Sequence, residues 1–291
     1  IAQCCAGGIG AVPALNARPA AALGDWLDRS DAELAEFRAD HPDAPVAPYA
    51  VNQIVHGSNN RLGEDLDTCV AHEVPIIITS LGARPEVNDA IHSYGGIVLH
   101  DVINNEFAKK AIDKGADGLI AGAAGAGGHA GGQSPFALVR EIRVWFDGPL
   151  LRSGAIAHGS SVLAALACGA DFAYVGSAFL TAEEANNDDG YKQMVADSRA
   201  GDIVYTNLFT GVHGNYLRGS IEAAGLDPDD LPESDPSAMD FGSGGNQDAK
   251  AWKDIWGAGQ GSGAVDDVVP AATIVERMVA QYDAARSRLG V

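Results

Sequence analysis

Short, continuously apolar runs alternate along this chain with longer amphipathic ones. The apolar runs fall at residues 10–15, 46–52, 75–80, 96–101, 117–121, 149–153 and 171–175, each rich in Val, Ile, Leu or Ala and bounded by Gly, Pro or a polar residue. Apolar character without alternation predicts strands buried on both faces, as in parallel sheets. Helical spacing fills the gaps at 20–37, 61–73, 85–94, 105–114, 135–145 and 160–169. Asn104, and Ser134 before Pro135, are placed as helix N-caps, and Gly115 and Gly169 as helix ends. Strand and helix succeed each other every 20–30 or so residues, which builds right-handed βαβ units. Seven units are one short of a closed barrel. The expectation is therefore an α/β fold, a (β/α)8 TIM barrel whose first strand lies before Ile1, with an open doubly wound sheet as the alternative.

After residue 180 the rhythm changes. Residues 182–200 are polar and predicted helical, 203–209 extended or loop, and 215–224 helical. Residues 227–263 are rich in Pro, Gly, Ser and Asp without periodicity and read as a long loop. Residues 270–289 are amphipathic and predict a closing helix. The expected domains are a barrel of residues 1–180 and 268–291, and a helical, loop-rich addition of 181–267 over the substrate side.

Composition narrows the function. The 291 residues carry 46% hydrophobic residues and a formal net charge of −20. So acidic a surface repels phosphate backbones and anionic lipid, so neither nucleic acid nor membrane is expected as a partner. No run approaches the ~18 apolar residues of a membrane span. The four cysteines form neither a CxxC pair nor a Cys/His grid, so no metal site is expected and a reducing cytoplasm fits.

Three loops carry candidate chemistry. The strand at 117–121 runs into a glycine-rich loop with one histidine, Gly125-Ala126-Gly127-Gly128-His129-Ala130-Gly131-Gly132. Glycine lets backbone approach a ligand closely, and an imidazole at a strand's C-terminal end can move protons near neutral pH. The alternative is a loop histidine bonded to backbone. The second loop is Arg152-Ser153-Gly154-Ala155-Ile156, and the third ends Tyr174-Val175-Gly176-Ser177-Ala178. Two consecutive strand ends of this kind make the usual phosphate site of barrels, against the plainer reading of ordinary βα turns. Asn52, Gln53, Ser80, His100 and Asp101 also fall at predicted strand ends. Asp117 is read as a brace for its own loop. The aromatic stretch 205–219 either lines the substrate pocket or packs beneath the later loop.

The run from Ala124 to Gly131, with Ser153-Gly154-Ala155-Ile156, Gly169-Ala170-Asp171 and Gly176-Ser177-Ala178-Phe179-Leu180-Thr181, resembles the nitronate monooxygenases, formerly called 2-nitropropane dioxygenases. The resemblance implies an FMN-binding barrel that oxidises alkyl nitronates with O₂ to a carbonyl compound and nitrite. By the same resemblance His129 matches the catalytic base. Ser153, Gly154, Gly176 and Ser177 match the phosphate clamp of FMN, Gly128 a backbone contact to it, and Asn52 and His100 positions near the flavin ring. The residue at His100 is often lysine or glutamine in relatives. The implied partners are a small nitronate or nitroalkane and O₂, with homodimerisation left open. Two alternatives stand beside this: an NAD(P)H-dependent FMN reductase of quinones or enoyl thioesters, and a flavin-free phosphate-binding barrel.

Overall fold

A computed structural model describes residues 1–235 and 254–291 of the chain. The architecture is α/β, of the (β/α)-barrel type, with seven parallel barrel strands. These lie within a few residues of the seven apolar runs. By contacts the chain forms two compact units, and the division falls inside the fifth strand.

The first unit contains α1 (Ala2–Cys5), β1 (Gly10–Pro13), α2 (Ala22–Asp40), β2 (Tyr49–Ile54), α3 (Leu62–Ala71), β3 (Ile76–Ser80), α4 (Pro85–His92), β4 (Ile97–Val102) and nearly all of α5 (Asn105–Asp113). Strands β1 to β4 pair in parallel in chain order, with Val12 opposite Val51, Val51 opposite Ile77, and Ile77 opposite Val98. Side chains alternate across a strand. Val51, Ile77 and Val98 therefore share one face, and they pack with Leu23, Leu27, Cys69 and Ile91 of the helices as the core of this unit.

The second unit takes up β5 (Gly118–Gly122) and continues with β6 (Gly128–His129), α6 (Pro135–Arg143), β7 (Leu150–Ser153), α7 (Gly159–Ala167), β8 (Phe172–Tyr174), α8 (Ser177–Leu180), α9 (Asp189–Asp197), β9 (Ile203–Thr206), β10 (Gly214–Leu217), α10 (Arg218–Ala223) and α11 (Ala271–Leu289). Strands β7 and β8 pair in parallel. A separate antiparallel sheet runs β6-β10-β9, with Gly214 opposite His129 on one side and Thr206 on the other.

Three local expectations are corrected. The start predicted as helix at 215 is strand β10 for its first residues, because pairing to β6 and β9 overrides a weak local preference. The 182–200 helix contracts to α9, which Asp188 caps by accepting the Gly190 N–H. Ser134 sits at the cap position of α6, but its side chain makes no capping bond. The long loop predicted at 227–263 lies in part outside the described residues; its later part turns into a short 3₁₀ segment, Gln260–Ala264.

The two Gly-Ala-Asp motifs share one device. The Asp117 carboxylate accepts the Val98 N–H at 2.7 Å and His92 Nε2 lies 2.9 Å away, while Asp117 N–H donates to the Val98 carbonyl. The Asp171 carboxylate accepts the Leu150 N–H at 2.8 Å and pairs with Arg143, while Asp171 N–H donates to the Leu150 carbonyl. Each aspartate thus ties the start of its own strand to the start of a neighbouring one, which is more than the brace for its own loop expected of Asp117.

Candidate active site

The second unit encloses a cavity of about 360 Å³ walled by three glycine-rich turns: Gly125–Gly128 after β5, Ser153–Ile156 after β7, and Gly176–Ser177 after β8. Five of the predicted cofactor residues, Gly128, Ser153, Gly154, Gly176 and Ser177, meet in this wall. Its described lining includes no charged side chain, so what it presents are backbone groups, the hydroxyls of two serines and two tyrosines, an indole and aliphatic side chains.

Local sequence explains the turns. Gly154 adopts φ +123°, and a Cβ there would lie 2.7 Å from the Ala124 carbonyl oxygen; Ala155 follows at φ +54°. Two successive left-handed residues fold the chain back sharply, and only glycine fits the first of them. Ala155 N–H then donates to the Gly125 carbonyl, joining the second turn to the first.

The wall is completed by residues that the sequence did not single out. A segment at 255–261 supplies Ile255, Trp256, Gly257 and Gly261, and α9 supplies Tyr191. This segment lies directly on the glycine loop: Gln260 N–H donates to the Gly125 carbonyl, and Ala258 N–H to Asn215. Gly259 N–H donates to Ser177 Oγ at 2.8 Å. Because that oxygen accepts, its own proton is left to give to a ligand. Tyr191 stacks on Trp256 with centroids 5.0 Å apart and donates its hydroxyl to Gly257. Burial pushes the Tyr191 phenol up to about 12, so it stays protonated.

His129 follows Gly128 directly but is not itself part of the cavity wall. It sits on β6, held by three bonds around it. Ala130 N–H donates to the His213 carbonyl, Tyr205 hydroxyl donates to the Ala130 carbonyl at 3.0 Å, and Asn215 Nδ2 donates to the Ala126 carbonyl at 2.6 Å. The imidazole Nε2 lies 2.9 Å from Thr210 Oγ1. Burial pulls this histidine down from 6.5 to about 4, so it is neutral at physiological pH.

Asn52 and His100 lie in the first unit, and neither belongs to the cavity lining. Asn52 Nδ2 donates to Ser80 Oγ at 2.9 Å. His100 pairs with Thr79 across β3 and β4, Nδ1 to Oγ1 at 2.6 Å. Alternation puts Thr79 and His100 on the helix-packed face of Ile77 and Val98, not on the face of Asn52. Burial, helped by Lys114, takes His100 down to about 4. Asp101 lies on the opposite face from His100, and burial raises its carboxyl to about 7.

The glycine turns leave room beside the cavity backbone. A Cβ built on Gly128 or Gly176 meets no atom within 4 Å, so at both places the backbone borders open space. Convergent backbone N–H groups and hydroxyls are how proteins hold a phosphate without cations. Among the described residues no helix is long and apolar enough to cross a membrane, and no three His, Cys, Asp or Glu side chains cluster to hold a metal.

The chain is similar to known proteins over most of its length. A putative monooxygenase of Mycobacterium tuberculosis is 30% identical over 75% of this chain and 61% of its own. A nitronate monooxygenase of Paraburkholderia phytofirmans is 31% identical over 62% of this chain and 53% of its own. The chain thus spans a little over half the length of these relatives. Among solved structures, nitroalkane oxidase from Streptomyces ansochromogenes superposes with a TM-score of 0.79 at 23% identity, covering 99% of this chain and 92% of that one. FabK from Thermotoga maritima does so with a TM-score of 0.73 at 22% identity, covering 99% and 89%. At such identities these two speak for the fold. The family model for nitronate monooxygenase matches residues 20–281, most of the chain. With that match added to the three glycine-rich turns and their neighbouring histidine, the chain belongs to the nitronate monooxygenase family.

Proposed function

We propose that this chain binds FMN and oxidises alkyl nitronates with O₂ to a carbonyl compound and nitrite. The observation that carries the reading is the uncharged cavity where Gly128, Ser153, Gly154, Gly176 and Ser177 converge, with His129 next in the chain to Gly128. When bound, FMN supplies the electron transfer between nitronate and O₂. The chain's own part is binding and proton handling. Ser177 gives its hydroxyl proton, and the turns at 153–154 and 176–177 their N–H groups, to the phosphate. Tyr191 and Trp256 shield that end from water. His129, kept neutral by burial, takes the α-proton of a neutral nitroalkane and makes the anionic nitronate. The hydrogen bonds of Asn52 and His100 run to strand neighbours, and neither residue has a part in this reading.

The test is a visible spectrum of the purified chain with and without added FMN, followed by a nitrite assay on a preformed nitronate. Flavin absorbance that stays with the protein, and stoichiometric nitrite, are expected. A protein that does not retain FMN would refute the cofactor. Rapid anaerobic bleaching by NADH with no nitronate turnover would turn the reading to a reductase.

A further inference from the structure

The glycine loop after β5 holds itself in place with its own backbone groups. The Gly125 carbonyl accepts the Ala155 and Gln260 N–H groups, and Ala126 N–H donates to the Ala123 carbonyl. The Ala126 carbonyl accepts Asn215 Nδ2 at 2.6 Å, in a buried bond between residues 89 positions apart. Among the described residues, the Gly127 N–H of that same peptide unit has no protein partner. The peptide is trans, so its C=O and its N–H point to opposite sides. Gly127 lines the cavity and Asn215 does not. A carbonyl drawn toward Asn215 therefore turns the Gly127 N–H to the cavity side. Gly259 lies against the face of this peptide: a Cβ there would be 2.7 Å from Gly127 N and 3.0 Å from the Ala126 carbonyl carbon.

We propose that Asn215 is a positioning residue: by holding the Ala126 carbonyl, its carboxamide aims the Gly127 N–H into the cavity as a further donor to an oxyanion. A carbonyl oxygen can only accept, so the end of the carboxamide that faces it is the NH₂. Asn215 is itself firmly placed. It is buried on β10, stands opposite Gly128 on one side and Tyr205 on the other, and its carbonyl accepts the Ala258 N–H. One residue thus joins the glycine loop, the strand β6 that continues it, and the 255–261 segment of the cavity wall. No charged side chain is among the described lining, so an oxyanion there depends on how many N–H dipoles converge on it. Without its partner the Ala126 carbonyl would be buried and unsatisfied, a state that favours rotation of the peptide. Rotation swings the Gly127 N–H away and brings a carbonyl, which repels an anion, toward the cavity.

That the oxyanion is the phosphate of FMN rests on the cofactor reading above; the orientation of the peptide does not, and the experiment separates them. Equilibrium dialysis of FMN compares wild type with two variants. Asn215→Leu keeps the shape and loses the donor, and Asn215→Asp donates only while its carboxyl is protonated. Asn215→Leu should weaken FMN binding by about tenfold or more at every pH, the scale of one unsatisfied buried carbonyl. Asn215→Asp should be as weak at about pH 8.5 and return to within about threefold of wild type at about pH 5.5, where a buried carboxyl regains its proton. A role of shape alone predicts instead that leucine and the protonated acid behave alike. A folded Asn215→Leu that binds within about twofold of wild type would overturn the proposal, as would an Asn215→Asp whose ratio to wild type is the same at both pH values. If Asn215→Leu does not fold, Asn215→Asp decides. If wild type itself retains no FMN, the cofactor reading falls and inorganic phosphate becomes the probe. A Gly127 amide resonance that moves with phosphate in wild type, but not in Asn215→Asp at the higher pH, would then uphold the role of Asn215, and any other pattern would overturn it.

Discussion

The burial of His129 has a measurable cost in acid. In the folded chain it binds a proton only near pH 4, whereas the unfolded chain takes one up near pH 6.5. Between those values the unfolded state holds the extra proton, so stability falls as pH falls. Above about pH 6.5 both states are neutral and the group contributes no slope. At 1.36 kcal/mol per pH unit the loss reaches about 2 kcal/mol at pH 5 and about 3 kcal/mol at pH 4. His100 adds a similar slope, since burial lowers it to about 4 as well. The contribution of residue 129 is therefore isolated by comparing wild type with His129→Gln, which cannot titrate. Urea unfolding at pH 7.5 and pH 5 is the assay. Between the two, wild type should lose about 2 kcal/mol more than the variant, with unchanged m-values. Equal losses would mean that His129 titrates as a solvated imidazole, and the argument for a buried neutral base would fail.

The glycine turns separate folding from binding. Gly154→Ala should destabilise the flavin-free protein by roughly 1–3 kcal/mol through its φ of +123° and the Ala124 oxygen 2.7 Å away, read as a lower Tm. Gly176→Ala, where a Cβ meets nothing, should leave that Tm unchanged and weaken FMN retention in equilibrium dialysis. Asp101→Asn should be more stable than wild type at pH 8, because burial raises the native carboxyl to about 7 and penalises its ionised form. That gap should close as pH falls from about 7 to about 4, where the unfolded carboxyl also gains its proton, and a gap independent of pH would refute the assignment.

Strands such as β3 and β5 were legible because burial on both faces writes unbroken apolar runs, and the glycine-rich turn at Gly154 because its tight geometry admits few other residues. What escaped detection is held by pairing between distant segments. Strand β10 has four residues, Gly214–Leu217, and its partners lie at 128–129 and 203–206. No local periodicity marks it, and the apparent helix beginning at 215 was its overlap with α10. Trp256 and Gly257 reach the cavity across some eighty residues from Ser177, through contacts such as Gly259 N–H to Ser177 Oγ. Their signal was only an aromatic residue in a glycine-rich stretch that reads as loop. His100 shows the opposite failure. It falls inside β4 rather than at the predicted strand end, and its face depends on one residue of register, which turns it to Thr79.

The paired Gly-Ala-Asp motifs have a consequence for how this scaffold can change. Asp171 grips the N-terminal start of β7, whereas Ser153 ends β7, and Gly176 and Ser177 come after the end of β8. Anchorage and the cavity wall thus occupy separate poles of the same strands. Loops at the reactive pole can be lengthened, shortened or rewritten for a new substrate while the aspartate at the other pole keeps the strands aligned, so catalytic novelty need not be bought with loss of the scaffold.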